Sequence, residues 1–186
     1  MRVLLNSKSK VFYVMASVAL IVLTVNPFTL EALPKNPLVL MASHYSLYFA
    51  GALAGLGLFR FNKLLAIPAV IPPIIFHLPY FFVESGVSLP WTFLDYSLTV
   101  VGGILLGGSM RQMGKIMKGS LFVLYMIGDT TLAILLILGF PVYSSPTVPF
   151  SPYSTTQLVE VSYLMFGIMN AILFGVLGYT LKKLLE

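Results

Sequence analysis

Six side chains able to do chemistry stand out in this 186-residue apolar chain: Met41 and His44 in MASHYSLYF, His77 in FHLPYFF, Asp95 in WTFLDYS, Asp129 in GDTT and Glu160 in QLVEVS. Imidazole nitrogens with a thioether one helical turn away suit a soft ion such as copper, so Met41, His44 and His77 form a candidate metal-ligand set. Two histidines on adjacent helices can also ligate a b-type haem axially. Gly51 and Gly55, seven and eleven residues after His44, fall roughly on its helical face, where missing side chains would leave room for a macrocycle. Carboxylates inside a membrane can relay protons or hold a cation, which makes Asp95, Asp129 and Glu160 candidates for that work. A plainer reading stands beside each of these. The histidines can donate hydrogen bonds to a carboxylate or to a carbonyl freed by proline, Thr130 and Thr131 can satisfy Asp129, and the glycines can serve tight helix packing.

The elements that must position these groups follow from composition. With 58% hydrophobic and only 9% charged residues and a mean hydropathy of +0.95, the chain requires lipid as its solvent. Hydropathy marks six runs, Val11–Val25, Leu38–Phe59, Leu64–Phe82, Thr92–Met110, Ser120–Phe140 and Gln157–Leu181. Six spans of about 20 residues leave only short connections, so an all-α, polytopic bundle forming one domain over residues 1–186 is expected. The first run resembles a signal peptide, but no small-x-small cleavage site precedes Asn26-Pro27, and a retained helix is expected. No internal repeat, low-complexity tract or sustained heptad is visible.

Charge orients the bundle. When connections are assigned alternately, one side receives Arg2, Lys8, Lys10, Arg60, Lys63, Arg111, Lys115, Lys118, Lys182 and Lys183, and the other receives Lys35 alone. The positive-inside rule then places both termini in the cytoplasm of a multi-pass cell-membrane protein, and an odd number of spans would scramble the asymmetry. The net charge of +5 is scattered between apolar runs and forms no patch for nucleic acid. The outer connection from Pro141 to Thr156 has no charge and four prolines, predicting an ordered, extended cap. An outer surface so poor in titrating groups would suit an acidic exterior.

With direction assigned, His44 and His77 share a depth of roughly 8 to 9 Å below the outer end of their helices. Asp95 and Glu160 enter about one turn from the same side, which leaves only Asp129 near the midplane. The third run contains Pro68, Pro72, Pro73 and Pro79 and should be kinked or partly unwound. Its freed carbonyls need cover inside a bilayer, so it is expected at the centre of the bundle. Small-xxx-small stripes mark helix two (Ala50, Gly51, Ala54, Gly55) and helix four (Gly102, Gly103, Gly107, Gly108).

Several chemistries are excluded or disfavoured. Without cysteine there are no disulfides, iron–sulfur clusters or thiolate sites. No nucleophile elbow, phosphate loop or HExxH occurs, and the chain reads as non-catalytic by itself. Only one broken helix is evident, where a transporter usually has a pair, although a small channel or transporter built on Asp129 stays open.

The stretches MASHYSLYFAGALAG and FHLPYFF resemble a family of small Sulfolobus membrane proteins of unknown function, with length and pattern covering nearly the whole chain. More distantly, a histidine in one helix followed by His77-Leu78-Pro79 in the next is similar to the membrane proteins that assist copper insertion into cytochrome c oxidase. In that family further histidines follow, whereas helix four here offers Asp95 and Ser97. The second likeness implies association with an aerobic respiratory chain, and the first an archaeal one. The protein would be a non-catalytic subunit of a cytochrome or quinol oxidase-type complex holding haem b or copper, or an assembly factor that inserts copper.

Overall fold

The computed structural model describes residues 7–144 and 151–185; Arg2 and the middle of the Pro141–Thr156 connection lie outside them. The architecture is all-α, with no strand among the described residues. Helices α1 (Ser7–Thr24), α3 (Pro37–Leu58), α6 (Leu89–Ser109), α7 (Lys115–Ile137) and α8 (Thr155–Leu185) are each long and apolar enough to cross a membrane. Exposed apolar side chains such as Phe12, Val22, Ile127 and Phe174 line their outer surfaces, as expected where lipid replaces water.

Helix starts are written in Asn-Pro pairs. Asn26 Oδ1 accepts from the Thr29 amide at 3.0 Å to begin the short α2 (Pro27–Ala32), and Asn36 Oδ1 accepts from the Leu38 amide at 2.9 Å to begin α3. Proline in the first turn loses nothing, because that amide has no partner within the helix. Helix α7 ends in a Schellman motif. Gly139, at φ +62°, sends its amide to Leu136, and the Phe140 amide reaches back to Leu135.

The third hydropathic run is broken, as its prolines predict. Residues Lys63–Ala66 and Pro68–Val70 form 3₁₀ turns, followed by α4 (Ile71–Phe76) and α5 (Pro79–Val87), which turns away by 76°. Leu78 makes the corner. A residue before proline is driven out of the helical region, and Leu78 sits at ψ 142°.

This run is not central, contrary to expectation; α3 is. Ile67, Ile71 and Ile74 are 49–57% exposed, while Ala69, Pro72 and Phe76 pack inward. Side chains from elsewhere cover its freed carbonyls individually, so burial on every side is unnecessary. Pro73 lacks the amide that would pair with the Ala69 carbonyl, and the Tyr48 hydroxyl donates there at 3.0 Å. Tyr143 donates to the His77 carbonyl at 2.8 Å.

Helices α3 and α6 lie parallel in close contact. His44 meets Asp95, Gly51 meets Val100 and Gly103, and Gly55 meets Ile104 and Gly107, so both chains descend together. Two parallel neighbours require the segment between them to travel back the full distance, and the broken run therefore crosses the membrane despite its bend. At the end carrying Arg60, Lys63 and Arg111 the seam is locked: the Phe61 amide donates to Gly108 O at 2.9 Å, Ser109 Oγ to Asn62 O at 3.1 Å, and Arg111 to Leu56 O at 2.7 Å.

Candidate functional site

Helix α3 works as a polar hub near the end opposite those cations. Met41, His44, Tyr45 and Tyr48 recur at i, i+3, i+4 and i+7, so they share one face of α3 over two turns, from which they reach different neighbours. His44 turns to α6, where its Nε2 lies 2.5 Å from Asp95 Oδ2; both residues are buried, Asp95 completely. Thr99 Oγ1, one turn below, donates to the other Asp95 oxygen at 3.0 Å. The carboxylate thus gains two donors, without which a buried charge would cost several kcal/mol.

His77, at the C-terminus of α4, stands beside this pair, its ring 5.3 Å from that of His44 in an edge-to-face arrangement. Its Nδ1 bonds to the Pro73 carbonyl oxygen, and its Nε2 lies 3.4 Å from Met41 Sδ. A carbonyl can only accept, so Nδ1 carries the proton and Nε2 of the neutral ring presents a lone pair to sulfur. By the same logic His44 donates through Nε2 to the carboxylate, and its Nδ1 is buried without a hydrogen-bond partner. With both imidazoles neutral in these tautomers, three lone pairs, from His77 Nε2, Met41 Sδ and His44 Nδ1, occupy one layer.

Among the described residues no three of His, Cys, Asp and Glu gather closely enough to hold a metal ion. A metal here would need the thioether as its third donor, which selects a soft ion. Asp95 stands behind His44 as carboxylates stand behind metal-ligating histidines, fixing tautomer and ring orientation. Gly51 and Gly55 play a different part from the one their spacing suggested. A Cβ at either position would collide with the α6 backbone, at the Val100 or Ile104 carbonyl oxygen, so their face is filled by a helix and a haem plane has no room there.

The other acids diverge. Glu160 points out of the bundle and is exposed, so it does not join the layer that its depth suggested. Asp129 is half-buried and less isolated than its position implied, since Tyr45 Oη donates to Asp129 Oδ2 at 2.5 Å with Tyr125 alongside. Thr130 and Thr131 turn elsewhere, towards Met169 Sδ at 3.6 Å and the Ile127 carbonyl at 2.8 Å.

Residues 15–183 match the family described as "Protein of unknown function (DUF1404)". The chain belongs to that family. No curated protein and no solved structure matches it significantly. Sequence reasoning missed several polar side chains of this DUF1404 protein's site. Tyr45, Tyr48 and Thr99 lie one to four residues from His44 or Asp95 and were legible as neighbours on a polar face.

Tyr143 and Tyr153, in the predicted cap, carry a similar signal: phenols beside prolines in an uncharged loop. Tyr153 donates to the Leu33 carbonyl at 2.9 Å, Ser151 Oγ to Tyr143 O at 3.3 Å, and both rings pack against Phe82. Burial pushes the Tyr143 hydroxyl up to about 12 and raises Tyr153 as well, keeping both phenols protonated as donors. The described part of the cap thus ties the broken third run and the α2–α3 corner together above the histidines.

Proposed function

We propose that this protein is a non-catalytic, membrane-embedded subunit of an archaeal aerobic respiratory complex of the cytochrome or quinol oxidase type, and that it holds copper(I) with His77 Nε2, Met41 Sδ and His44 Nδ1. The observation that carries the reading is the His77–Met41 contact at 3.4 Å, in which a neutral His77 with Nδ1 bonded to the Pro73 carbonyl turns its Nε2 lone pair towards the thioether. A soft cation relieves that arrangement, and the partnerless His44 nitrogen supplies a further ligand. The filled Gly51–Gly55 face favours copper over haem. The respiratory assignment is supported by the likeness of His44 and His77-Leu78-Pro79 to copper-insertion proteins, and the archaeal setting by that of the whole chain to the small Sulfolobus membrane proteins. On this reading the basic end faces the cytoplasm with both termini, and the histidine layer lies towards the outside of the cell membrane.

Anaerobic titration of the purified protein with copper(I) against a chromogenic chelator tests the site. Stoichiometric retention is expected, lost in His77→Ala and Met41→Leu and weakened about 10- to 100-fold in Asp95→Asn, which removes only the group behind a ligand. No retained copper together with no Soret band would remove the cofactor. Stoichiometric copurification with an oxidase marks a resident subunit, and transient association marks the insertion factor.

A further inference from the structure

Asp129 is used by nothing proposed above, and its surroundings differ in kind from those of Asp95. Tyr45 faces it from α3, Tyr125 from the preceding turn of α7, and from α8 the nearby chemistry is the Met169 thioether against Thr130. No lysine, arginine or histidine takes part, and no ion pair to Asp129 occurs among the described residues. Asp95 by contrast has an imidazole at 2.5 Å.

An acid in an apolar bundle with phenols as donors and no countercation avoids the cost of a bare charge by keeping a proton. The carboxyl is also reachable from the lipid. Below Asp129, towards the basic end, the hairpin of α7 and α8 stands away from the other helices: a Cβ added at Gly119, Gly175 or Gly178 would meet nothing within 4 Å, and from Ala171 to the end of α8 nearly every described side chain is exposed. Asp129 itself is only half-buried. Tyr125 Oη beside it is buried without a geometrically sound hydrogen bond, leaving a hydroxyl free to receive or pass a proton as the carboxyl changes state.

We propose that Asp129, with Tyr45 and Tyr125, is an exchangeable proton-binding site of the α7–α8 hairpin, separate from the histidine layer. The ligand is a proton, bound to the carboxyl in the loaded state and passed on through the Tyr45 and Tyr125 hydroxyls beside it. Because no atom of the histidine layer is involved, failure of copper binding would leave this site standing, and the reverse also holds.

A lipid-soluble carbodiimide tests it on the full-length protein in liposomes. Such a reagent takes the acidic proton on nitrogen, accepts the carboxylate at its central carbon and rearranges to a stable N-acylurea, so only a protonated, lipid-accessible carboxyl is marked and no atoms leave. Peptide mass mapping should find the adduct on Asp129 and not on Asp95, with the yield falling as the buffer is taken from mildly acidic to mildly alkaline. Asp129→Asn should abolish it. Tyr45→Phe, which keeps the carboxyl, should retain it and so guards against loss of label through misfolding. Absence of the adduct from Asp129 in both the wild type and Tyr45→Phe, equal marking of Asp95, or a yield independent of pH would each overturn the proposal.

Discussion

The α3–α6 seam and the α7–α8 hairpin are built from similar material, glycine-bearing apolar helices with an acid that is at least half-buried, Asp95 in one and Asp129 in the other, yet they are packed in opposite ways. In the seam the glycines are pressed against backbone. A Cβ at Gly103 would strike the Tyr48 carbonyl and one at Gly107 the Ala52 carbonyl, while Asp95 is fully buried against a base. In the half of the hairpin nearer its lysines a Cβ on the glycines would meet open space, and Asp129 is half-buried against a phenol. Composition alone does not tell these apart. A glycine stripe is a close-packing device only where a second backbone meets it, and an intramembrane acid is committed only where a buried base holds it in a hydrogen bond.

The contrast can be broken most directly at the acids. His44→Ala should destabilise the protein by about 3–5 kcal/mol in detergent unfolding, because it strands Asp95 in the seam. Asp129→Asn should cost far less, since the amide still accepts from Tyr45. Equal losses would erase the distinction drawn between the two acids.

Next in size is the glycine test. Gly103→Ala should cost about 1–3 kcal/mol or more, because the new methyl lies on a backbone carbonyl that can yield only if the helices part. Thermal unfolding of the same preparation would show it.

The cap sharpens the comparison from outside the seam. Tyr143→Phe leaves the His77 carbonyl without its donor and should cost about 1–3 kcal/mol, together with looser protection of residues 77–82 in hydrogen exchange. The sign of its pH dependence follows from the raised hydroxyl. The folded state favours the neutral phenol, so this contribution is complete below the ordinary value of 10.0 and is lost as pH rises through about 12. Wild-type stability should fall across that alkaline window more steeply than that of Tyr143→Phe.

The smallest effect is expected at Gly175. A methyl there meets nothing, and alanine is the better helix former, so Gly175→Ala should change stability by less than about 1 kcal/mol and in the stabilising direction. A large loss would mean that the half of α8 nearer its lysines packs more tightly than its open surroundings indicate.

Much of this molecule was determined by order along the chain. Apolar run length settled the helices, Pro68, Pro72, Pro73 and Pro79 settled where one would break, and a rise of 1.5 Å per residue placed His44, His77 and Asp95 at one level. Depth is a local property, readable from the distance to a helix end. Azimuth and neighbour order are not, because they depend on which helices pack together. Only the tertiary structure could decide that α3 and not the proline-rich run is central, that Asp95 faces His44 while Glu160 faces outward, and that Asp129 finds Tyr45 on another helix instead of the threonines beside it.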